Sequence, residues 1–518
     1  MLEDNFFLIP IDDSFLKEAL AQIICEDFCL AEEYALHLVE ERVMPHLSRL
    51  VGHTKLVIER NYVDKVYRDS YYSYYASKRT HYGRDAIKIS FFNDENNKIT
   101  SLDVFKDKNH ITFLKENYRG FVVLRPTSPY IVGRSAIAPN LLKDNSFKTC
   151  VAAIPSTAMG IKFNVQAFPF ASQDTETISC AETMIWALME YYGNKYPEYS
   201  PVLPSRILQL LKQNTVERQL PSAGLSVESM SYLLKEFGFG PKLYSRDVFG
   251  EDFESLLSCY IESGIPVIVA LQNENAHNRI PPEKFKFIGH AVLCIGHEKV
   301  NAKRIQSLSG KEFETTAKNT LKIKDWDEVD KKFLFIDDNF PVYQSEKLGT
   351  PTGRYASLGD ANWNSCEISH FIVPLYRKIY LEAYVAKNFV KELLCSDFFY
   401  FANGKELYLR TFLCSTRSYR EYVMLGNMND ELKRIIMNKS LPRFIWITEI
   451  SDDLGILRNQ ANGLILLDAT EANKLDYRSL IFAAYDQKVI QYDKDKRTIG
   501  DSPLQNTPFT IFDRNLKN

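Results

Sequence analysis

Gln173 stands seven positions before Cys180, and Cys180 opens a segment whose apolar residues Met184, Leu188 and Met189 recur at helical spacing. A thiol at a helix N-terminus feels the positive end of the macrodipole, which favours thiolate, the nucleophile of acyl transfer. A Gln one short loop upstream can set its amide beside the Cys backbone N–H. Two such donors stabilise the oxyanion of a tetrahedral intermediate. The thiolate also needs a base carried by a different element. His290 follows Gly289 and opens the β-rich run HAVLCIG, while Asp337, Asp338 and Asn339 follow the run KFLFI. A carboxylate at that place can orient the imidazole. The chain order is Gln, Cys, His, Asp.

Those residues resemble the papain-like cysteine peptidases, and most nearly the branch that processes bacteriocin leaders beside export transporters, with its free-standing bacterial relatives. The likeness rests on Gln173-Asp174, on Cys180 opening a helix that ends in Tyr191-Tyr192-Gly193, on Gly289-His290-Ala291-Val292 and on Asp337. It runs from roughly Phe168 to Tyr343, a third of the chain. It implies a papain-like fold and thiol-dependent cleavage of a peptide or isopeptide bond in a protein or peptide substrate. It also implies Cys180, His290, Asp337 and Gln173 as the catalytic set, and no cofactor. Two positions depart from the pattern. Ala181-Glu182 stand where the transporter-associated enzymes carry Gly-Pro, and Asp338 stands where they carry Pro, which leaves Asp337 and Asp338 both open as the orienting group. Glu182 is expected to point outward, because an inward carboxylate would raise the thiol pKa.

The same constellation would serve an acyl or amide transferase if an amine resolved the acyl-enzyme, and a binding module if turnover were lost. Other chemistry-bearing residues read as structural. His297 lies seven positions beyond His290, an odd offset that turns it to the other face of a strand. Cys294, four positions on, shares the His290 face and reads as core. Asp174 reads as a turn residue and His277 as a solvated loop histidine. His37 and His46 are nine apart, without metal-binding HExxH spacing, so no metal site is expected. Arg125 and Arg134, near turns, read as surface arginines. No phosphate-binding or dinucleotide glycine fingerprint occurs.

The elements that must position these groups form an α+β pattern. The first 60 residues read as helical, one helix starting near Ser14 and a second running from Leu30 to Val43 before Pro45. Short β-rich runs follow: AIKISFF, GFVVLRP, CVAAIP and IKFNVQAF. The helix from Cys180 is expected to close at Gly193 as its C-cap. A helix from Val227 to Phe237 takes Ser226 as its N-cap. IPVIVAL, HAVLCIG and KFLFI read as buried strands. Glu298 to Asp330, polar and charge-rich, reads as a mobile flap outside the core. A final mixed α/β segment carries a helix around Ala386 to Cys395 and the strands LYLRTFLC, RFIWITEI and GLILLDAT. Expected segments are a helical and β region over 1–130, a papain-like domain over 131–375, and the mixed region over 376–518.

Composition bounds the partners. With 63 Lys and Arg against 66 Asp and Glu, the net charge of -3 leaves no basic field for nucleic acid, so none is expected. No run of 18 apolar residues occurs, so no membrane partner is expected. The acidic start lacks a signal peptide's basic and apolar regions, which points to the cytoplasm or to a leaderless secretion route. Nine scattered cysteines with no CxxC pair argue for reduced thiols over disulfides or a zinc site. Oligomeric state is not legible.

Overall fold

A computed structural model of the chain describes residues 5–213, 224–472, 477–493, 498–504 and 507–517. The fold is mixed α/β, built on three principal sheets. The first sheet is antiparallel and orders Phe6–Pro10, Thr54–Tyr62, Ala86–Asn93, Tyr118–Leu124, Ser135–Ile137 and Pro169–Phe170. The second orders Phe239–Ser245, Glu367–Tyr376, Val267–Gln272, Gly289–Glu298, Phe333–Ile336 and Gln344–Glu346, with Phe147–Thr149 also paired to Gly289–Glu298. The third begins with Lys311–Glu314 and Thr320–Asp325, continues through Lys405–Ser415 and Phe444–Ser451, and ends at Thr498–Pro503. One apolar core cluster draws residues from all three. Among the described residues, no helix is long and apolar enough to cross a membrane.

The helix Cys180–Lys195, here the cysteine helix, packs on strand Gly289–Glu298, the histidine strand. Ala181 through Tyr192 are all buried. A helix covered all round needs apolar residues on every face, and Met184, Ile185, Trp186 and Leu188 supply them. Gly193 does not cap this helix: it lies inside it, and the cap falls at Tyr196. A Cβ at Gly193 would sit 2.3 Å from the Pro201 nitrogen, so glycine admits the returning chain against the helix rather than ending it.

Three further expectations are corrected. The first 60 residues contain strands Phe6–Pro10 and Thr54–Tyr62 beside their helices, because pairing with Ala86–Asn93 outweighs local helical periodicity. The second helix passes Pro45 through a wide π-type turn at Val39–Val43. Proline then falls at the start of the next turn, where its missing N–H costs nothing. The segment Glu298–Asp330 is no flap. Its strand Thr320–Asp325 pairs parallel to Lys405–Ser415, and Leu321 and Ile323 are buried. Two of its acidic residues face a cation instead of water: Lys387 Nζ reaches Asp325 at 2.9 Å and Asp327 at 2.8 Å, all three buried.

The sheets also cross the segment boundaries read from sequence. Strands Ser135–Ile137 and Pro169–Phe170 belong to the first sheet, and Lys311–Glu314 and Thr320–Asp325 to the third.

Candidate active site

The loop before Cys180 is shaped by Asp174. Its carboxylate accepts the backbone N–H groups of Glu176 (3.0 Å), Thr177 (2.7 Å) and Ile178 (3.0 Å). This is the turn role expected of Asp174: one carboxylate satisfies three donors that the tight path leaves unpaired. Ser179 then stands at the helix N-cap. Glu182 is buried and folds back to accept the Ser179 N–H at 3.2 Å and its hydroxyl. The outward Glu182 read from sequence is therefore corrected. The N-cap amide needs an acceptor, and the third helical residue supplies it, as in a capping box. Cys180, half-buried, is the first helical residue.

His290 is carried on the histidine strand opposite Leu271. The imidazole is buried. Its Nε2 donates to Asp337 Oδ1 at 3.1 Å, and Cys180 is near enough to act on the ring's charge. Asp337, in the turn after Phe333–Ile336, also accepts Arg354 Nε at 2.8 Å, the Asn339 N–H at 3.1 Å and the Tyr355 hydroxyl at 2.9 Å. Tyr355 oxygen lies 3.3 Å from His290 Nε2. Its ring stacks on Trp363 at 4.0 Å and 2°, and Trp363 meets the His290 ring edge-on at 5.4 Å. The stacked rings both meet His290 edge-on, and dry surroundings strengthen the His–Asp bond.

Charge in this pocket follows from those contacts. Burial alone would lower the His290 pKa, but the Asp337 charge and hydrogen bond, with Cys180 adding, raise it well above its ordinary value. Burial alone would raise Asp337, yet Arg354 and then His290 hold its carboxyl well below the usual range. Asp338 differs. Its Oδ1 is 3.7 Å from His290 Nε2, and neither oxygen is hydrogen-bonded. Burial pushes its pKa up to about 7, with Asp337 adding and His290 opposing.

Of the two acids left open by sequence, Asp337 is the one bonded to His290. Gln173 belongs to the same group: its amide donates to Asn339 Oδ1 at 3.3 Å, and Asn339 Nδ2 donates to the Tyr355 oxygen at 3.1 Å. Of the four sequence-chosen residues, Gln173, Asp337 and His290 thus lie in one connected hydrogen-bond network, and Cys180 stands near its His290 end. Arg354, Tyr355 and Trp363 were missed. They sit in two short turns of a segment without periodicity or motif, and nothing in their spacing points to Asp337. His290, Asp337 and Asp338 offer three potential ligand atoms within 4.8 Å of one another, the one such group among the described residues. Arg354 already supplies positive charge to Asp337, which disfavours a second cation there.

The remaining sequence candidates lie elsewhere. His297 turns to the opposite side of its strand and meets Glu262 at 3.0 Å. Cys294 is buried, and His277 is an exposed loop residue. His37 is exposed; His46 is buried and stacks on Phe170 at 5.5 Å. Arg125 and Arg134 are buried, which corrects their surface reading. Arg125 bonds the Ser172 carbonyl at 2.7 Å, just before Gln173. Arg134 pairs with Glu190 of the cysteine helix at 2.8 Å. Both arginines leave the solvent because the chain around the site has carbonyl and carboxylate acceptors to satisfy.

A scan against protein-family models finds no match to this chain, and a search of curated proteins finds none either.

Proposed function

We propose that the chain is a thiol-dependent hydrolase with a papain-like site, cleaving a peptide or isopeptide bond. The reading rests above all on His290, whose buried ring is bonded to Asp337 and lies near enough to Cys180 for the two groups to act on each other's charge. In this mechanism His290 takes the Cys180 proton and the thiolate attacks the carbonyl carbon. The Cys180 backbone N–H and the second hydrogen of the Gln173 amide receive the oxyanion. His290 then protonates the leaving amine, and water activated by the same imidazole releases the acyl group. Asp337, held ionised by Arg354, keeps the ring oriented and stabilises the imidazolium.

A silent binding module is the second reading, and one observation favours it: the Gln173 amide is turned to Asn339. Limited iodoacetamide labelling of native protein near neutral pH, mapped by mass spectrometry, separates the two. An active site predicts that His290→Ala slows Cys180 labelling while the exposed Cys29 reacts unchanged. Equal labelling of Cys180 in both proteins would remove the catalytic reading. Cys180→Ala, compared with wild type by proteome-wide cleavage mapping, then identifies substrates.

A further inference from the structure

A cavity of about 270 Å³ lies at the far end of the cysteine helix, between that helix, the end of strand Glu367–Tyr376 and the third sheet. The helix is 16 residues long, which places this cavity about 24 Å from Cys180. Lys195, Arg443 and Arg514 line it, against one carboxylate, Glu198. Glu198 is spent on Arg443, with which it pairs. Lys195 meets no carboxylate among the described residues; its Nζ bonds the Tyr191 hydroxyl at 2.5 Å. Burial lowers its pKa, and Lys517 adds like charge. Arg514 has only a loose pair, 3.7 Å from an exposed Glu421. Helix Thr416–Leu425 also begins at this cavity, since Ser415, its N-cap, and Ser418 are in the lining. A half-buried ammonium with no carboxylate partner is costly, and a bound anion would offset that cost.

The remainder of the lining is aromatic and apolar. Tyr192, Tyr196 and Tyr199 cluster in it, with the Tyr192 ring centroid 5.7 Å from that of Tyr196 and 5.5 Å from that of Tyr199, and Leu375 and Leu413 also line it. Arg443 is held in place with its guanidinium over the rings of Tyr376, at 4.8 Å, and Phe444, at 5.4 Å. A fork held in that way suits a phosphate or carboxylate. Three cations line the cavity against one lining carboxylate, with Glu421 only loosely on Arg514, and that excess of positive charge suits a phosphate. The volume admits little beyond a single ring and its head group.

We propose that this cavity binds a small phosphate monoester carrying a planar ring, the phosphate at Lys195, Arg443 and Arg514 and the ring among the tyrosines. The proposal does not depend on the chemistry at Cys180.

Calorimetric titration of the full chain with phenyl phosphate, inorganic phosphate and phenol tests it. Phenyl phosphate should bind about tenfold or more tightly than either half alone. Arg514→Ala and Lys195→Met should each weaken that binding about tenfold or more, since each removes a charge-assisted contact. Circular dichroism and the thermal transition of the free variants should match wild type. If one variant does not fold, the other, together with Arg443→Lys, decides. Cys180→Ala should bind as wild type does. No saturable binding at millimolar phenyl phosphate overturns the proposal. So does phenyl phosphate binding no better than phosphate, binding that survives these substitutions, or binding lost with Cys180.

Discussion

Asp337 and Asp338 are adjacent and equally buried, yet only Asp337 has Arg354, Tyr355 and the Asn339 N–H around it. Burial, only partly opposed by the His290 charge, pushes the Asp338 pKa up to about 7. An ordinary carboxyl titrates near 3.9, so the folded state holds this proton where the unfolded chain releases it. Its contribution to stability is therefore full below about pH 4 and is lost as pH rises toward 7. His290 runs in the same direction: its raised pKa gives stability that is full below about 6.5 and lost as pH climbs through the raised value. Asp338→Asn removes the first loss. Measured by urea midpoints, its advantage over wild type should grow by a few kcal/mol between pH 4 and pH 8. An advantage equal at both pH values would mean that Asp338 finds a donor in solution.

Two elements carry explanations that can be tested by substitution. Gly193→Ala would gain about 1 kcal/mol of helix propensity. It would also drive a Cβ into the Pro201 backbone. Overpacking of that kind costs about 1–3 kcal/mol, so a lower thermal midpoint is expected. A higher midpoint would show that the chain at 200–201 yields freely. In the third sheet, Lys387→Met strands the buried carboxylates of Asp325 and Asp327. Breaking a buried pair from one side costs about 3–5 kcal/mol. Denaturant unfolding should show that loss, and Asp327→Asn in the same protein should return part of it. Deletion of 299–330 should abolish the cooperative transition, because it removes two strands of that sheet. Survival of a sharp transition would restore the flap reading.

Across the whole molecule the three sheets are stitched together at several points. Arg134 of the first sheet's turn reaches Glu190, and Arg49 Nη2 bonds the Tyr343 carbonyl at 3.0 Å. Lys517 near the end of the chain exchanges backbone hydrogen bonds with Thr149. A fragment of residues 131–375 would expose strand edges and apolar surface on both sides. It should show no cooperative unfolding. The full chain should unfold with coincident circular dichroism and tryptophan transitions, since its four tryptophans are spread from the cysteine helix, with Trp186, to the third sheet, with Trp446. Separate transitions would assign independent stability to one of the regions.

Local pattern was enough where the relevant physics is local. The strands HAVLCIG, KFLFI and IPVIVAL, the Ser226 cap and the helix opened by Cys180 follow from alternation, apolar runs and capping chemistry read along the chain. The order Gln173, Cys180, His290, Asp337 was legible because each residue sits at the boundary of such an element. What sequence could not supply depends on approach between distant segments. Arg354 chooses Asp337 over its neighbour from 17 residues away, and Pro201 decides what Gly193 is for. Lys387, some sixty residues beyond Asp327, turns a charged stretch into core. Charge read along a chain measures solubility in isolation. Only the tertiary structure decides whether a charge meets water or a counter-charge, because that pairing is set by packing and carries no periodicity of its own.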